Sequence, residues 1–143
     1  MCKNLVEKGN LDKPLIIFNR TTKRATDLKE RLPSGKSIVV LSIEEAVSKS
    51  DIVFTCLGDD LAVKDTLATA VKGDVKGKLF ADCSTIHPDT TNELAKLVVE
   101  HGAHFVACPG TPSTCSRPCK KLILDQQYSE HPQWLRAASW SAF

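Results

Sequence analysis

Three short polar segments follow apolar runs in this sequence, and the first has side chains suited to binding a phosphate. Asn19, Arg20 and Thr21 come directly after the apolar run at 14–18. An arginine guanidinium stays charged and holds a phosphate through two parallel donors. In dinucleotide-binding sheets an arginine at this place favours the 2′-phosphate of NADP, whereas an acidic residue favours NAD. The alternative is an ordinary surface arginine after a strand.

The second polar segment begins at Gly58, after the apolar run at 51–57. Glycine has no side chain, so the backbone there could approach a ligand closely. Asp59 and Asp60 follow and would oppose a phosphate. The competing interpretation is a plain turn in which one of the two aspartates caps the next helix.

The third polar segment contains Ser84 and Thr85, after the run at 78–83. Their hydroxyls could lie at the nicotinamide end of a bound cofactor, or they could cap the helix that Pro88 begins. His87 is interpreted as a capping or exposed residue, not as a catalytic base.

These segments can converge only if their strands end at one edge of a parallel sheet, where doubly wound folds bind ligands. Short apolar runs alternate with helical stretches at the spacing of βαβ units, which predicts an α/β, three-layer Rossmann-type parallel sheet with buried strands. The predicted strands are 14–18, 37–40, 51–57, 78–83 and 104–107, and the predicted helices are 1–9, 22–32, 42–48, 59–71 and 88–101.

The composition of the chain suits one globular α/β domain. It has 143 residues, a net charge of +2, 42% hydrophobic and 25% charged residues. The sequence has no run of five like charges that would indicate nucleic-acid binding. No apolar run approaches the roughly 18 residues that cross a bilayer. Residues 1–8 lack a secretory signal, so we expect a cytoplasmic protein.

Six cysteines raise the possibility of disulfides or zinc. Cys56 and Cys83 lie in apolar runs, where a thiol behaves as a small hydrophobe, and we expect reduced thiols. The cysteine and histidine residues that could bind zinc have a spacing that does not match a standard zinc finger. These residues are Cys108, Cys115, Cys119 and His131.

Taken in order, these segments resemble the β-hydroxyacid dehydrogenases, the group of 3-hydroxyisobutyrate dehydrogenase and 6-phosphogluconate dehydrogenase. The matching segments are 1–5, 19–21, 51–53, 57–60, 82–88 and 102–105. The resemblance implies NAD(P)-linked oxidation of a 3-hydroxy acid, with Ser84 nearest the substrate. It implies cofactor contacts at Asn19, Arg20, Thr21, Leu57, Gly58 and Thr85, and at Ala62 or Val63 on the following helix.

The sequence also departs from the family pattern. Before residue 1 the family has a strand and a Gly-rich turn, so a partial NADP-binding domain lacking both is predicted over 1–109. The strands at 14–18 and 51–57 would then close up, receive another segment between them, or keep unpaired edges.

Residues 110–143 are predicted to be a divergent, irregular tail, from a changed reading frame or a retained intron. The family's catalytic lysine and helical domain have no match there, and Lys120 and Lys121 do not take that role. The apolar run at 121–124 could supply a substitute strand.

The expected function is therefore an NADP-binding domain of an oxidoreductase line, without turnover as this chain. A small hydroxy-acid substrate is expected only in full-length relatives. The alternatives are a non-catalytic interaction protein, which could associate with a full-length relative, and a truncated product without a function.

Overall fold

The computed structural model describes residues 2–108, in which helices and strands alternate. The predicted elements are confirmed in kind and order, and most end slightly inside their predicted bounds. The tail at 109–143, with its lysines, its apolar run and most of the cysteine–histidine set, lies outside the described residues. The elements are α1 Cys2–Lys8, β1 Leu15–Ile17, α2 Thr22–Glu30, β2 Ser37–Val39, α3 Ile43–Ser48, β3 Ile52–Thr55, α4 Asp60–Ala70, β4 Leu79–Asp82, α5 Pro88–Glu100 and β5 His104–Ala107.

The strands are parallel throughout, which confirms the α/β class, but they divide into two sheets. The first pairs β1 with β2, in the register Leu15 to Ser37. The second has the order β3-β4-β5, in the registers Ile52 to Leu79 and Leu79 to His104. Within residues 2–108, β1 and β3 do not pair with each other. The two strands that were expected to flank a missing strand have therefore not closed up.

The main hydrophobic core lies between the three-stranded sheet and its helices. Val63 and Leu67 of α4, Phe80 of β4, and Leu94 and Val98 of α5 are all almost fully buried in it. Leu94 and Val98 lie on one side of α5, because side chains four residues apart share a face of a helix.

A smaller core supports the two-stranded sheet. It joins Ile17 of β1, Ala25 of α2 and Leu32 after that helix, with Val6 of α1 packed against them. It is much poorer in large buried side chains than the main core, so we expect this part of the fold to open at lower free energy.

Burial of every strand on both faces was predicted, and the structure shows it only for β4. That strand is central in its sheet and is covered by neighbours on both sides. β3 begins instead with an exposed residue, Ile52, and β5 is only partly buried.

Local sequence signals set the helix ends. Ser42 caps α3, because its Oγ accepts a hydrogen bond from the Glu45 N–H at 3.1 Å. After α5, Gly102 has φ of +79°, a left-handed conformation that favours glycine. None of the helices in residues 2–108 is long and apolar enough to span a membrane.

Candidate functional site

The turn between β1 and α2 presents its polar side chains to solvent. Asn19, Arg20 and Thr21 are all exposed. The Thr21 N–H donates to Asn19 Oδ1 at 2.9 Å, which orders the turn. Thr21 occupies the N-cap position of α2 with extended backbone, yet its side chain makes no capping hydrogen bond. The Thr21 hydroxyl and the Arg20 guanidinium are therefore available to a ligand.

The first turn of α2 is positively charged. It contains no acidic residue, although acidic side chains stabilise a helix N-terminus. It contains Lys23, which pairs with Asp27 at 3.5 Å, and Arg24. Neither Arg20 nor Arg24 has an ion-pair partner within residues 2–108. Two arginines and the helix dipole thus attract an anion to the same end of α2.

Arg24 was not identified from the sequence. The signal that could have identified it is a basic residue in the first helical turn, where the helix dipole makes a positive charge unfavourable.

The turn between β3 and α4 leaves room beside Gly58. A Cβ built on Gly58 meets nothing within 4 Å, and its φ lies outside the left-handed region. The backbone conformation therefore does not require glycine at this position. The space beside it is open, so a ligand could approach the backbone closely. Of the two candidate capping residues it is Asp59 that caps, because its Oδ1 accepts from Ala62 N–H at 2.8 Å.

The structure distinguishes the two alternative positions, Ala62 and Val63, for the cofactor contact expected on α4. Val63 is fully buried in the main core, with an exposed fraction of 0%, so its side chain cannot contact a cofactor. Ala62 is half-buried at the start of the helix, and it stays a predicted contact. Val63 faces inward because it lies four residues before Leu67, on the buried face of α4.

A buried network ties the second and third polar segments together. Asp82 Oδ1 accepts from the Thr55 hydroxyl at 2.7 Å and from Ser84 N–H at 3.1 Å. Ser84 Oγ in turn accepts from Leu57 N–H at 2.9 Å. Asp82 is 2% exposed and Ser84 is 4% exposed. This geometry favours a positioning role for Ser84, whose hydroxyl oxygen is already bound to the neighbouring turn.

A second link joins the starts of α4 and α5. Asp60 Oδ1 accepts from His87 N–H at 3.0 Å. The pKa of the Asp60 carboxyl is below its usual value, mainly because of a hydrogen bond from the Thr90 hydroxyl and then because of the one from His87 N–H. His87 Nδ1 accepts from Asp89 N–H at 3.3 Å, so the α5 cap is His87, not Ser84 or Thr85.

The structure therefore brings the segments at Leu57 and Ser84 together, with Thr85 exposed beside them. Within residues 2–108 no hydrogen bond joins them to the turn at Asn19, which follows a strand of the other sheet. Two surface cavities lie elsewhere, one lined by Lys13 and Lys36 among others and one beside the end of α2. Neither cavity is lined by a predicted site residue. Parallel sheets bind ligands at their carboxyl edge, so the polar residues at the strand ends indicate the site better than these cavities do.

Comparison with known protein families decides the relationship. Residues 1–112 match the model of the NAD binding domain of 6-phosphogluconate dehydrogenase. The chain belongs to this family. Its relatives and structural neighbours include 3-hydroxyisobutyrate dehydrogenase-like oxidoreductases, which confirms the resemblance inferred from the ordered segments.

Two relatives illustrate the range of this family. The NADH-dependent oxidoreductase ucdB of Aspergillus ustus is 40% identical over 120 residues, which are 82% of this chain and 41% of the relative. The human cytokine-like nuclear factor N-PAC is 31% identical over 110 residues, 74% of this chain and 18% of the relative. The chain thus spans less than half the length of these relatives.

Solved structures agree on the fold. A reductive aminase from Aspergillus terreus in complex with NADPH and ethyl levulinate superposes with a TM-score of 0.60 at 26% identity, over 73% of this chain and 34% of that one. The 3-hydroxyisobutyrate dehydrogenase of Mycobacterium tuberculosis superposes with a TM-score of 0.66 at 24% identity, over 77% and 35%. This chain therefore carries the NAD(P)-binding domain of a hydroxyacid-type dehydrogenase family.

In this member of the family, replacement of Gly58 by alanine is expected to weaken nucleotide binding without destabilising the fold. The added methyl meets no protein atom, and it restricts the unfolded chain, which stabilises by about 0.4–1 kcal/mol. It would, however, separate the backbone from a ligand that approaches closely. Urea unfolding and titration with NADPH measure the two effects. Gly73→Ala, at another exposed turn, is the matched control, and equal binding by both variants would exclude close approach at Gly58.

Proposed function

We propose that this chain binds NADP(H) at the carboxyl ends of its strands, as the nucleotide-binding domain of an oxidoreductase that acts on the CH–OH group of a 3-hydroxy acid. The observation that carries the proposal is the turn after β1. There the Arg20 guanidinium and the Thr21 hydroxyl are exposed, at the start of a helix with no acidic residue in its first turn. A phosphate group satisfies all three features.

In this proposal the nucleotide extends from one turn to the others. Asn19, Arg20 and Thr21 bind the 2′-phosphate end. Leu57, Gly58 and Ala62 contact the cofactor at the start of α4, where the open space beside Gly58 supports close approach. Thr85 lies at the nicotinamide end, and Ser84 keeps the backbone of Leu57 in place.

The choice between NADP and NAD depends on Arg20. The relatives differ in cofactor, since ucdB is an NADH-dependent oxidoreductase and the reductive aminase structure contains NADPH. A guanidinium on the turn after β1 favours NADP, because a 2′-phosphate gives it a charged partner that a 2′-hydroxyl does not.

Substrate chemistry is proposed only for full-length relatives, which would bind the small hydroxy acid. Hydride transfer needs an acid or base at the reacting alcohol. His87, the histidine nearest the third polar segment, is exposed and its Nδ1 already accepts from Asp89 N–H. We therefore propose that the polypeptide binds nucleotide without turnover, in the cytoplasm, and that it can associate with a full-length relative.

The second candidate function is that of a non-catalytic interaction protein. It is supported by the likeness to N-PAC, which is described as a cytokine-like nuclear factor. The two functions differ in one simple property: a working NADP site is required by the first and not by the second.

A thermal melt of the purified chain with and without nucleotide tests the proposal. A ligand that binds only the folded state at 100 times its dissociation constant adds about 2.7 kcal/mol of stability, which raises the midpoint by roughly 10 °C. We expect NADPH to raise it more than NADH at equal concentration. A cooperative melt that neither nucleotide shifts would reject the nucleotide site and favour the interaction protein.

A further inference from the structure

Three cysteines form a row across the carboxyl edge of the three-stranded sheet. Cys56, Cys83 and Cys108 each follow the last residue of β3, β4 and β5. The last register positions of these strands are aligned, Thr55 with Asp82 and Asp82 with Ala107. Hydrogen bonds from Cys83 N to Thr55 O at 2.8 Å and from Cys108 N to Asp82 O at 2.7 Å continue the pairing to the cysteines.

The geometry of a parallel ladder then fixes which thiols can reach each other. Residues at one register position of neighbouring strands point to the same face. Neighbouring strands lie about 4.8 Å apart, within the Cα separation of about 4.4–6.8 Å that a disulfide requires. The outer pair, Cys56 and Cys108, is two strands apart, about 9.6 Å, which is too far.

The environment of the row gives the three thiols different roles. Cys56 and Cys108 are exposed, whereas Cys83 is half-buried between them. Burial raises the pKa of the Cys83 thiol, and negative charge on Cys108 and Cys56 raises it further. Burial and the negative charge of Asp82 also raise the pKa of the Cys108 thiol. The Cys83 sulfur is therefore within electrostatic reach of both of the other thiols.

We propose that this row is a dithiol–disulfide site, in which Cys83 pairs with Cys56 or with Cys108 when a hydroperoxide oxidises the protein. An exposed thiolate attacks the peroxide, the O–O bond breaks, and a sulfenic acid and one water form. The Cys83 sulfur then attacks that sulfur, the S–O bond breaks, and a second water leaves as the S–S bond forms. Two thiols lose two electrons and two protons, and one hydrogen peroxide becomes two waters.

Peptide mapping of the oxidised full chain tests this site. The remaining cysteines, Cys2, Cys115 and Cys119, are first replaced by serine. The protein is then treated with hydrogen peroxide, blocked with N-ethylmaleimide, digested and analysed by mass spectrometry. We expect peptides joined through Cys83 to Cys56 or Cys108, and none that joins Cys56 to Cys108.

Two variants distinguish the row from chance oxidation. Cys83→Ser should abolish the intramolecular disulfide and increase dimedone labelling of sulfenic acid at the exposed cysteines. Cys56→Ser with Cys108→Ser changes only exposed side chains, and it should leave Cys83 without a partner. A disulfide between Cys56 and Cys108 would overturn the proposal. So would the absence of any intramolecular disulfide in the oxidised protein that keeps all three cysteines of the row and melts cooperatively.

Discussion

Replacement of Arg20 by glutamine is expected to weaken NADPH binding by about 10- to 100-fold, since a hydrogen bond to a charged group contributes about 1.5–3 kcal/mol. Binding of NADH should change by less than about twofold, because its 2′-hydroxyl carries no charge for the guanidinium to neutralise. Arg20 is exposed and outside both hydrophobic cores, so the variant should fold normally. Fluorescence titration of the two reduced nucleotides gives both dissociation constants.

Arg31→Gln is the control for this experiment. Arg31 is exposed at the opposite end of α2, so its replacement removes the same charge without touching the turn after β1. Loss of NADPH affinity in both variants would indicate general electrostatic attraction instead of a phosphate site. An Arg20 variant that still prefers NADPH would move the assignment to Arg24, and a wild-type preference for NADH would contradict the proposed cofactor.

The parts of the fold that depend on short segments could be predicted from the sequence. The N-cap at Ser42, the helix start at Pro88 and the helix end at Gly102 each involve residues within about one turn of each other. The parallel arrangement of the strands followed from the alternation of apolar runs with helices. The division into two sheets was only one of the alternatives that the sequence left open, because it depends on whether β1 and β3 pair, and no local pattern encodes that pairing.

The candidate site divides in the same way. Arg20 and Thr21 could be named because a polar turn after a strand is a local signal. The partnership of Asp82 with Thr55 could not be predicted, since the two residues are 27 positions apart and only the register of β3 with β4 brings them together. A carboxylate at a strand end is ordinarily expected to be exposed. Val63 was predicted as a contact although its spacing from Leu67 indicates a buried face.

The buried Asp82 network makes the second large prediction. Replacement of Asp82 by leucine, which has the same branched shape and number of side-chain heavy atoms, removes the acceptor of the Thr55 hydroxyl and of Ser84 N–H. Each buried donor left without a partner costs about 1–3 kcal/mol, so we expect the free energy of unfolding to fall by about 2–6 kcal/mol. This is a large part of the roughly 5–15 kcal/mol that stabilises a typical domain. The urea midpoint measures it.

Asp82→Asn is the control that distinguishes loss of the hydrogen bonds from a change in side-chain size. Both donors use the same oxygen, Oδ1, and an asparagine retains one carbonyl oxygen for them. The asparagine variant should therefore lose only about 1 kcal/mol, the contribution of an ordinary hydrogen bond. If leucine and asparagine are equally destabilising, the two hydrogen bonds do not account for the effect.

A double variant tests the same network from its other end. Thr55→Val removes the hydroxyl donor, so adding it to Asp82→Leu should restore part of the stability, because neither partner is then left unsatisfied. Ser84 N–H would still lack its acceptor, and recovery should be incomplete. Since Ser84 also holds Leu57 N–H, the leucine variant should bind NADPH more weakly than its remaining folded fraction explains. Full binding by the folded fraction would show that the network supports the fold and not the nucleotide site.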